Sequence, residues 1–114
     1  MENCIFCKII DGQIPSSPVL DNEWVYAFND INPEAPHHIL IVPKKHIKSL
    51  ADISLDDIQL LAEVQLAARE IAVSLGVKEE GFRLVTNAGP KGGQTVDHLH
   101  YHFLAGRQMK WPPG

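Results

Sequence analysis

The segment His98-Leu99-His100-Tyr101-His102-Phe103-Leu104 places three of the chain's six histidines two residues apart, with large apolar residues between them. In an extended strand alternate side chains share a face, so the three imidazoles point one way and Leu99, Tyr101 and Phe103 the other. A strand with one apolar face packs on a core, and its imidazole face then lines a polar cleft or binds something. Two imidazoles at this spacing can share a zinc ion with help from elsewhere. Alternatively, one imidazole attacks an electrophile while its neighbours fix its tautomer and stabilise charge. A half-buried strand that is merely histidine-rich on its polar side is the third reading. Spacing alone leaves the metal and nucleophile readings open.

Ahead of the histidines, Asn87-Ala88-Gly89-Pro90-Lys91-Gly92-Gly93-Gln94-Thr95 supplies small residues whose backbone N–H groups can approach an anion. Its amide and hydroxyl side chains suit phosphoryl oxygens. The run matches neither the Walker spacing nor the dinucleotide fingerprint, and alone it reads equally as a turn. Directly before a histidine strand it points to a phosphate held against an imidazole, a group that attacks phosphorus readily and leaves well. Asp30, at the end of a predicted strand, is either a solvated turn carboxylate or an acceptor for two ribose hydroxyls. His38 heads another strand and either points into the same cleft or serves structure. Asn87 is a candidate phosphate contact or a turn cap.

Cys4-Ile5-Phe6-Cys7 offers two thiolates. A closed zinc site needs two further ligands, for which His46 and His98 are the candidates. Redox chemistry is a rival use, without the βαβ surroundings expected for it, and two plainly buried thiols are another.

The elements that must position these residues follow from pattern. Cys4 to Ile10 predicts a short helical turn ending near Asp11-Gly12, with Pro15 and Pro18 enforcing an extended exit. Val19-Leu20 and Trp24 to Phe28 predict a short hairpin, and His38 to Val42 a nearly continuous apolar strand stopped by Pro43. Ser54-Leu55-Asp56-Asp57 has the form of a capping box. Ile58, Leu61, Val64, Ala68, Ile71 and Leu75 then recur at helical spacing up to Gly76. Phe82 to Thr86 predicts a strand, and Thr95 to Ala105 the histidine strand. Strands on either side of one long helix give an α+β class with a mostly antiparallel sheet.

A chain of 114 residues, 45% hydrophobic, holds one domain over residues 1–114 and is too short for two. The formal charge of −4 and the scattered basic residues exclude a track for DNA or RNA. Apolar runs such as Ile39-Leu40-Ile41-Val42 are far too short to span a membrane. Met1-Glu2-Asn3-Cys4 lacks the start of a secretion signal, so a cytoplasmic location follows by default, where the cysteines stay free of disulfide.

The histidine run resembles the signature of the histidine-triad superfamily, alternating His and hydrophobic residues. The wider context is similar to the Hint branch, the histidine-triad nucleotide-binding proteins that act as purine nucleoside phosphoramidases. It comprises Phe28-Asn29-Asp30-Ile31, Ala35-Pro36-His37-His38, Ile41-Val42-Pro43-Lys44-Lys45-His46, Gly92-Gly93-Gln94-Thr95 and Gly106-Arg107-Gln108-Met109-Lys110-Trp111-Pro112-Pro113-Gly114. The likeness runs from about Ile5 to the last residue.

That resemblance implies a histidine-triad fold: a five-stranded, mostly antiparallel sheet with one long helix and a short N-terminal helix, continuous across a homodimer. It implies hydrolysis of adenosine or guanosine phosphoramidates, a nucleotide joined to an amine or a lysine, without a metal in the chemistry. Position by position, it makes His100 the nucleophile, His102 a contact to phosphoryl oxygens and the His98 carbonyl the orienter of His100. His38 becomes the proton-transfer histidine, Asp30 and Ile31 the ribose pair, and Asn87, Gly93, Gln94 and Thr95 the phosphate contacts. By likeness to bacterial relatives, a structural zinc is held by Cys4, Cys7, His46 and His98. Thr95 stands where animal members carry serine and Lys110 where they carry histidine. Rival functions are a nucleotide-binding signalling module with incidental slow hydrolysis, a dinucleoside polyphosphate hydrolase, and a zinc hydrolase using the three strand histidines as ligands.

Overall fold

Cys4 opens the first element: its Sγ accepts the backbone N–H of Cys7 at 3.3 Å, capping helix α1, Ile5–Ile10. The computed structural model describes residues 3–114, so the reading of Met1-Glu2 lies outside the described residues. Strands β1 (Leu20–Asp21), β2 (Val25–Asn29) and β3 (His37–Pro43) follow, then helix α2 (Ile58–Ser74) and strands β4 (Phe82–Val85) and β5 (Tyr101–Ala105). The sheet is five-stranded and antiparallel in every pairing, in the order β1-β2-β3-β5-β4. The last strand therefore inserts between its two predecessors, which brings the histidine run to the centre of the sheet beside β3.

Register decides the two faces. Ile39 pairs with Phe103 and Ile41 with Tyr101, and this side meets α2. Leu40 pairs with His102 on the other side, where Leu40 and Val42 pack with Cys4 and Phe6 of the N-terminal turn. The imidazoles thus face α1 and the apolar partners face α2, the alternation the sequence predicts.

The buried stripe of α2 is Leu60, Val64, Ala67, Ala68, Ile71 and Ala72, a spacing of a helix laid on one face. It differs from the predicted stripe at its ends. Ile58 is 61% exposed, because two residues before Leu60 is the opposite side of the helix. Leu61 and Leu75 are only partly buried. The Ser54–Asp57 capping box is present, but it caps one 3-10 turn, Leu55–Asp57, that runs directly into α2. Gly76 closes the helix with φ +72°, a backbone that favours glycine.

The histidine strand is shorter than predicted. Ladder pairing covers Tyr101–Ala105 and not residues 95–100. Continuing the register would set His100 against Val42 and Leu99 against Pro43, whose ring removes the donor. The freed backbone groups go elsewhere: Leu99 N–H donates to the Ile47 carbonyl at 2.7 Å and the Thr86 hydroxyl to the His100 carbonyl at 2.8 Å. Among the described residues no buried side-chain nitrogen or oxygen lacks a hydrogen-bond partner, and no helix is long and apolar enough to cross a membrane.

Phe103 is fully buried and stacks on Phe82 with ring centroids 4.9 Å apart. Phe103→Ala should lower unfolding free energy by about 3–5 kcal/mol, read as a shift in urea midpoint at unchanged m-value.

Candidate functional site

Four histidine rings are tied through their nitrogens, and the ties dictate which nitrogen carries the hydrogen in each neutral ring. His100 Nδ1 lies 2.7 Å from the His98 carbonyl, which can only accept, so Nδ1 carries the hydrogen and Nε2 keeps its lone pair. His98 Nε2 lies 2.8 Å from the Pro43 carbonyl, so Nε2–H donates and Nδ1 is free to bind a cation. His38 is fixed in the opposite sense: the Glu34 backbone N–H donates to its Nδ1 at 3.0 Å, leaving the hydrogen on Nε2. That Nε2 sits 2.9 Å from His102 Nδ1, which accepts, so the hydrogen of a neutral His102 ring is on Nε2. The set is mostly buried, with His98 at 0% and His100 at 5% exposure.

His100 and His102 stand edge to face with centroids 5.2 Å apart, and Phe6 packs edge to face against both His98 and His100. Burial, reinforced by neighbouring His100 and His38, pulls the pKa of His102 below the ordinary histidine range, against the opposing charge of Asp30. The Asp30 carboxylate reaches within 3.5 Å of His38 Nε2 through Oδ2, while Oδ1 accepts the Asn32 N–H at 2.8 Å. Phe6 and Phe28 meet edge to face at 5.9 Å, and Ile9 packs on the same cluster. Ile5, from the same N-terminal turn, is 48% exposed and lines a hollow with Asn3, Cys4, His46, Thr95, Val96 and Asp97.

The second convergence is the pair of thiols with two imidazoles. Cys4 Sγ is 3.2 Å from His98 Nδ1, and Cys7 Sγ is 3.4 Å from His46 Nδ1 and 3.6 Å from His98 Nδ1. The two Nδ1 atoms are 3.1 Å apart, and all four ligand atoms lie within 4.8 Å of one another. A tetrahedral zinc with ordinary bond lengths sets its nitrogens about 3.3 Å apart and its nitrogen–sulfur pairs about 3.5 Å apart. The donor set, its spacing and the Pro43 carbonyl behind His98 all fit such an ion. Burial, then contact with Cys4, pushes the Cys7 thiol up to about 11, and burial lowers the pKa of His98.

These ties answer the reading of three strand histidines around one metal. Their ring nitrogens do not converge: His98 Nδ1 faces the thiols, His100 Nδ1 a carbonyl and His102 Nδ1 the ring of His38. Asp30, His38 and His102 also cluster within 4.8 Å. A cation there would need the His38 Nε2 lone pair, which the Glu34 N–H denies by holding the hydrogen on that nitrogen.

Around the glycine-rich loop the predicted residues divide. Gln94 is consumed as a brace: its Oε1 accepts the Gly89 N–H at 2.9 Å, and its Nε2 donates to the carbonyls of Lys48 at 2.7 Å and Val96 at 2.9 Å. Gly93 adopts φ +85°, the left-handed turn the loop needs. Asn87 is half-buried just beyond β4, Thr95 is exposed, and Ile31 is 91% exposed beside Asp30. The Glu34 amide and the Pro43 and Ile47 carbonyls act here through main chain alone, so no residue type marked them in the sequence.

A family profile described as scavenger mRNA decapping enzyme C-term binding matches residues 3–111. The fold is similar to a HIT family hydrolase from Legionella pneumophila Philadelphia 1, 50% identical with a TM-score of 0.96, covering 98% of this chain and 100% of that one. It is similar also to a histidine triad nucleotide-binding protein from Candida albicans, 34% identical with a TM-score of 0.81, over 89% of this chain and 73% of that one. A 14 kDa zinc-binding protein of Zea mays is 48% identical over 112 residues, 96% of this chain and 87% of its own.

Because the folded pKa of His102 is lowered, the unfolded chain takes up that proton first as pH falls. The contribution of His102 to stability is therefore complete above about pH 6.5 and declines below it. Urea midpoints should drop between pH 7.5 and pH 5.5, and His102→Gln should flatten that drop.

Proposed function

The chain belongs to the histidine-triad (HIT) family, and within it we propose a purine nucleoside phosphoramidase of the Hint branch. The observation that carries this reading is the 2.7 Å bond from His100 Nδ1–H to the His98 carbonyl, which puts the lone pair of the neutral ring on Nε2 and fixes its direction. Neutral imidazole with its lone pair toward a cleft is what attack on a phosphorus requires.

In the proposed reaction His100 Nε2 bonds to the α-phosphorus while the P–N bond breaks and its electron pair leaves with the amine. The departing nitrogen needs a proton, and a neutral imidazole cannot give one up. The step therefore runs from the state in which the His38–His102 pair, joined at 2.9 Å, holds one extra proton. His102 Nε2 passes it to the nitrogen, and the attacking water returns it in the next step. The lowered pKa of His102 eases that transfer. His102 Nε2–H and the backbone donors around Gly93 stabilise charge on the phosphoryl oxygens, with Asn87 and Thr95 as further contacts. Gln94 shapes this loop through its own hydrogen bonds. Water then displaces the imidazole from phosphorus, releasing the nucleoside monophosphate and restoring His100.

Asp30, with unused lone pairs on both oxygens, accepts from the ribose hydroxyls, and Ile31 flanks the sugar. Phe6, Ile9 and Phe28 offer an apolar wall for the purine. The zinc held by Cys4, Cys7, His46 and His98 is structural, all four positions being filled by protein. A homodimer with the sheet continued through β4 accords with that strand's place at the sheet edge and with Phe82, 38% exposed on it. We place this single domain in the cytoplasm, where thiols stay reduced.

His100→Ala should abolish turnover of adenosine 5′-phosphoramidate while AMP affinity stays within about threefold, and mass spectrometry of quenched wild type should find AMP bonded to residue 100. Undiminished turnover in the variant would remove the assignment. Purified protein should carry one zinc per chain, lost in a Cys4→Ser/Cys7→Ser double variant. Since Cys7 of the metal-free protein holds its proton up to about pH 11, zinc uptake releases protons and affinity should rise with pH, measurable by competition with a chelator.

A further inference from the structure

The Gly106-Arg107 pair that leaves β5 has no part in the chemistry above, yet it meets the segment that sets the proton on His38. Arg107 Nε donates to the Glu34 carbonyl at 2.9 Å, and Nη1 to the Gln108 carbonyl at 3.3 Å. Glu34 is the residue whose own N–H fixes His38 Nδ1 at 3.0 Å. One residue earlier, a side chain at Gly106 would place its Cβ 2.9 Å from Pro36 Cβ, and Gly106 has φ +97°. The exit of β5 thus lies directly on the 34–37 segment, closer than any other residue type permits.

We propose that Arg107 is a positioning residue that, by holding the Glu34 carbonyl and with it the backbone of that residue, sets which nitrogen of His102 carries the proton. This inference rests on the phosphoramidase reading for its kinetic consequence, though not for its structural one. The link is a choice between two tautomer patterns. With the Glu34 N–H on His38 Nδ1, the hydrogen of His38 is on Nε2, His102 Nδ1 accepts, and His102 Nε2–H is presented to the cleft. If the Glu34 backbone drifts and its N–H leaves the ring, His38 is free to take its hydrogen on Nδ1. His38 Nε2 then becomes an acceptor, His102 Nδ1–H donates to it, and His102 Nε2 turns a lone pair toward the cleft. A lone pair repels a phosphoryl oxygen and has no proton to give.

Other groups near the pair do not make this choice. Asp30 Oδ2, 3.5 Å from His38 Nε2, favours hydrogen on that nitrogen but lies beyond good hydrogen-bond distance. His100 is committed to the His98 carbonyl. The Glu34 N–H is the contact that specifies His38 Nδ1, and Arg107 holds the carbonyl of the same residue, one Cα away in the next peptide.

Arg107 is exposed, so its replacement should leave the fold intact, which amide NMR spectra would verify. The test is 15N NMR of the imidazoles in the ligand-free protein, for wild type, Arg107→Met and Arg107→Lys. Met keeps the stem and loses the donors; Lys keeps the charge and one donor direction. Wild type should show His102 with hydrogen on Nε2. Arg107→Met should show a mixture of tautomers at His38 and His102, and Arg107→Lys should restore most of the wild-type pattern. With adenosine 5′-phosphoramidate, kcat of Arg107→Met should fall about three- to tenfold with KM within twofold. Unchanged tautomers in Arg107→Met would overturn the inference, as would a fall in kcat that Arg107→Lys did not relieve. If no phosphoramidate were turned over by wild type, the reaction assignment would fail while the NMR result still decided the role of Arg107.

Discussion

Main-chain hydrogen bonds to imidazole nitrogens are the constraint on which this site depends. A neutral imidazole has one donor and one acceptor nitrogen, and which is which decides whether the ring attacks, donates or binds a cation. Here carbonyls hold hydrogen on His98 Nε2 and His100 Nδ1, while an amide holds it off His38 Nδ1. Burial keeps the rings of His98 and His102 from charging, so the assignment persists near neutral pH. Three peptide groups thereby give chemically identical side chains different tasks.

His98 shows how tightly those tasks are joined. Its ring stands among two thiols and His46, and its carbonyl holds His100 at 2.7 Å. The ring is fully buried and braced from behind by Pro43. The candidate metal centre and the candidate nucleophile therefore share one residue, with the metal-facing atom on the side chain and the nucleophile-facing atom on the backbone. The ends of strand pairing make this possible: with no ladder at residues 98–100, the His98 carbonyl is free for the ring of His100.

Packing on the opposite face supplies the rigidity. Ile39, Ile41 and Phe103 press against the alanine-rich stripe of α2, whose small side chains let helix and sheet approach closely. The sheet order puts β5 between β3 and β4, so His102 has a paired neighbour on each side, Leu40 and Val85. Its orientation is then a property of a central strand, whereas His98 and His100, outside the ladder, are oriented by the Pro43 and His98 carbonyls.

The sequence by itself determined the element types, the two-faced histidine run, the α+β class and the residue types of both clusters. These are legible because alternation and helical spacing are local, and because few residue types supply lone pairs to phosphorus or zinc. The tertiary structure decided the rest. It shortened the histidine strand at the register position of Pro43, turned the helix so that Leu60 rather than Ile58 is buried, and spent the Gln94 amide on bracing its own loop. Only the fold brings the Glu34 amide to His38, the Pro43 carbonyl to His98 and Arg107 to Glu34. The physical reason is that every residue carries a peptide group, so residue types alone cannot say which carbonyl or amide will meet a given ring.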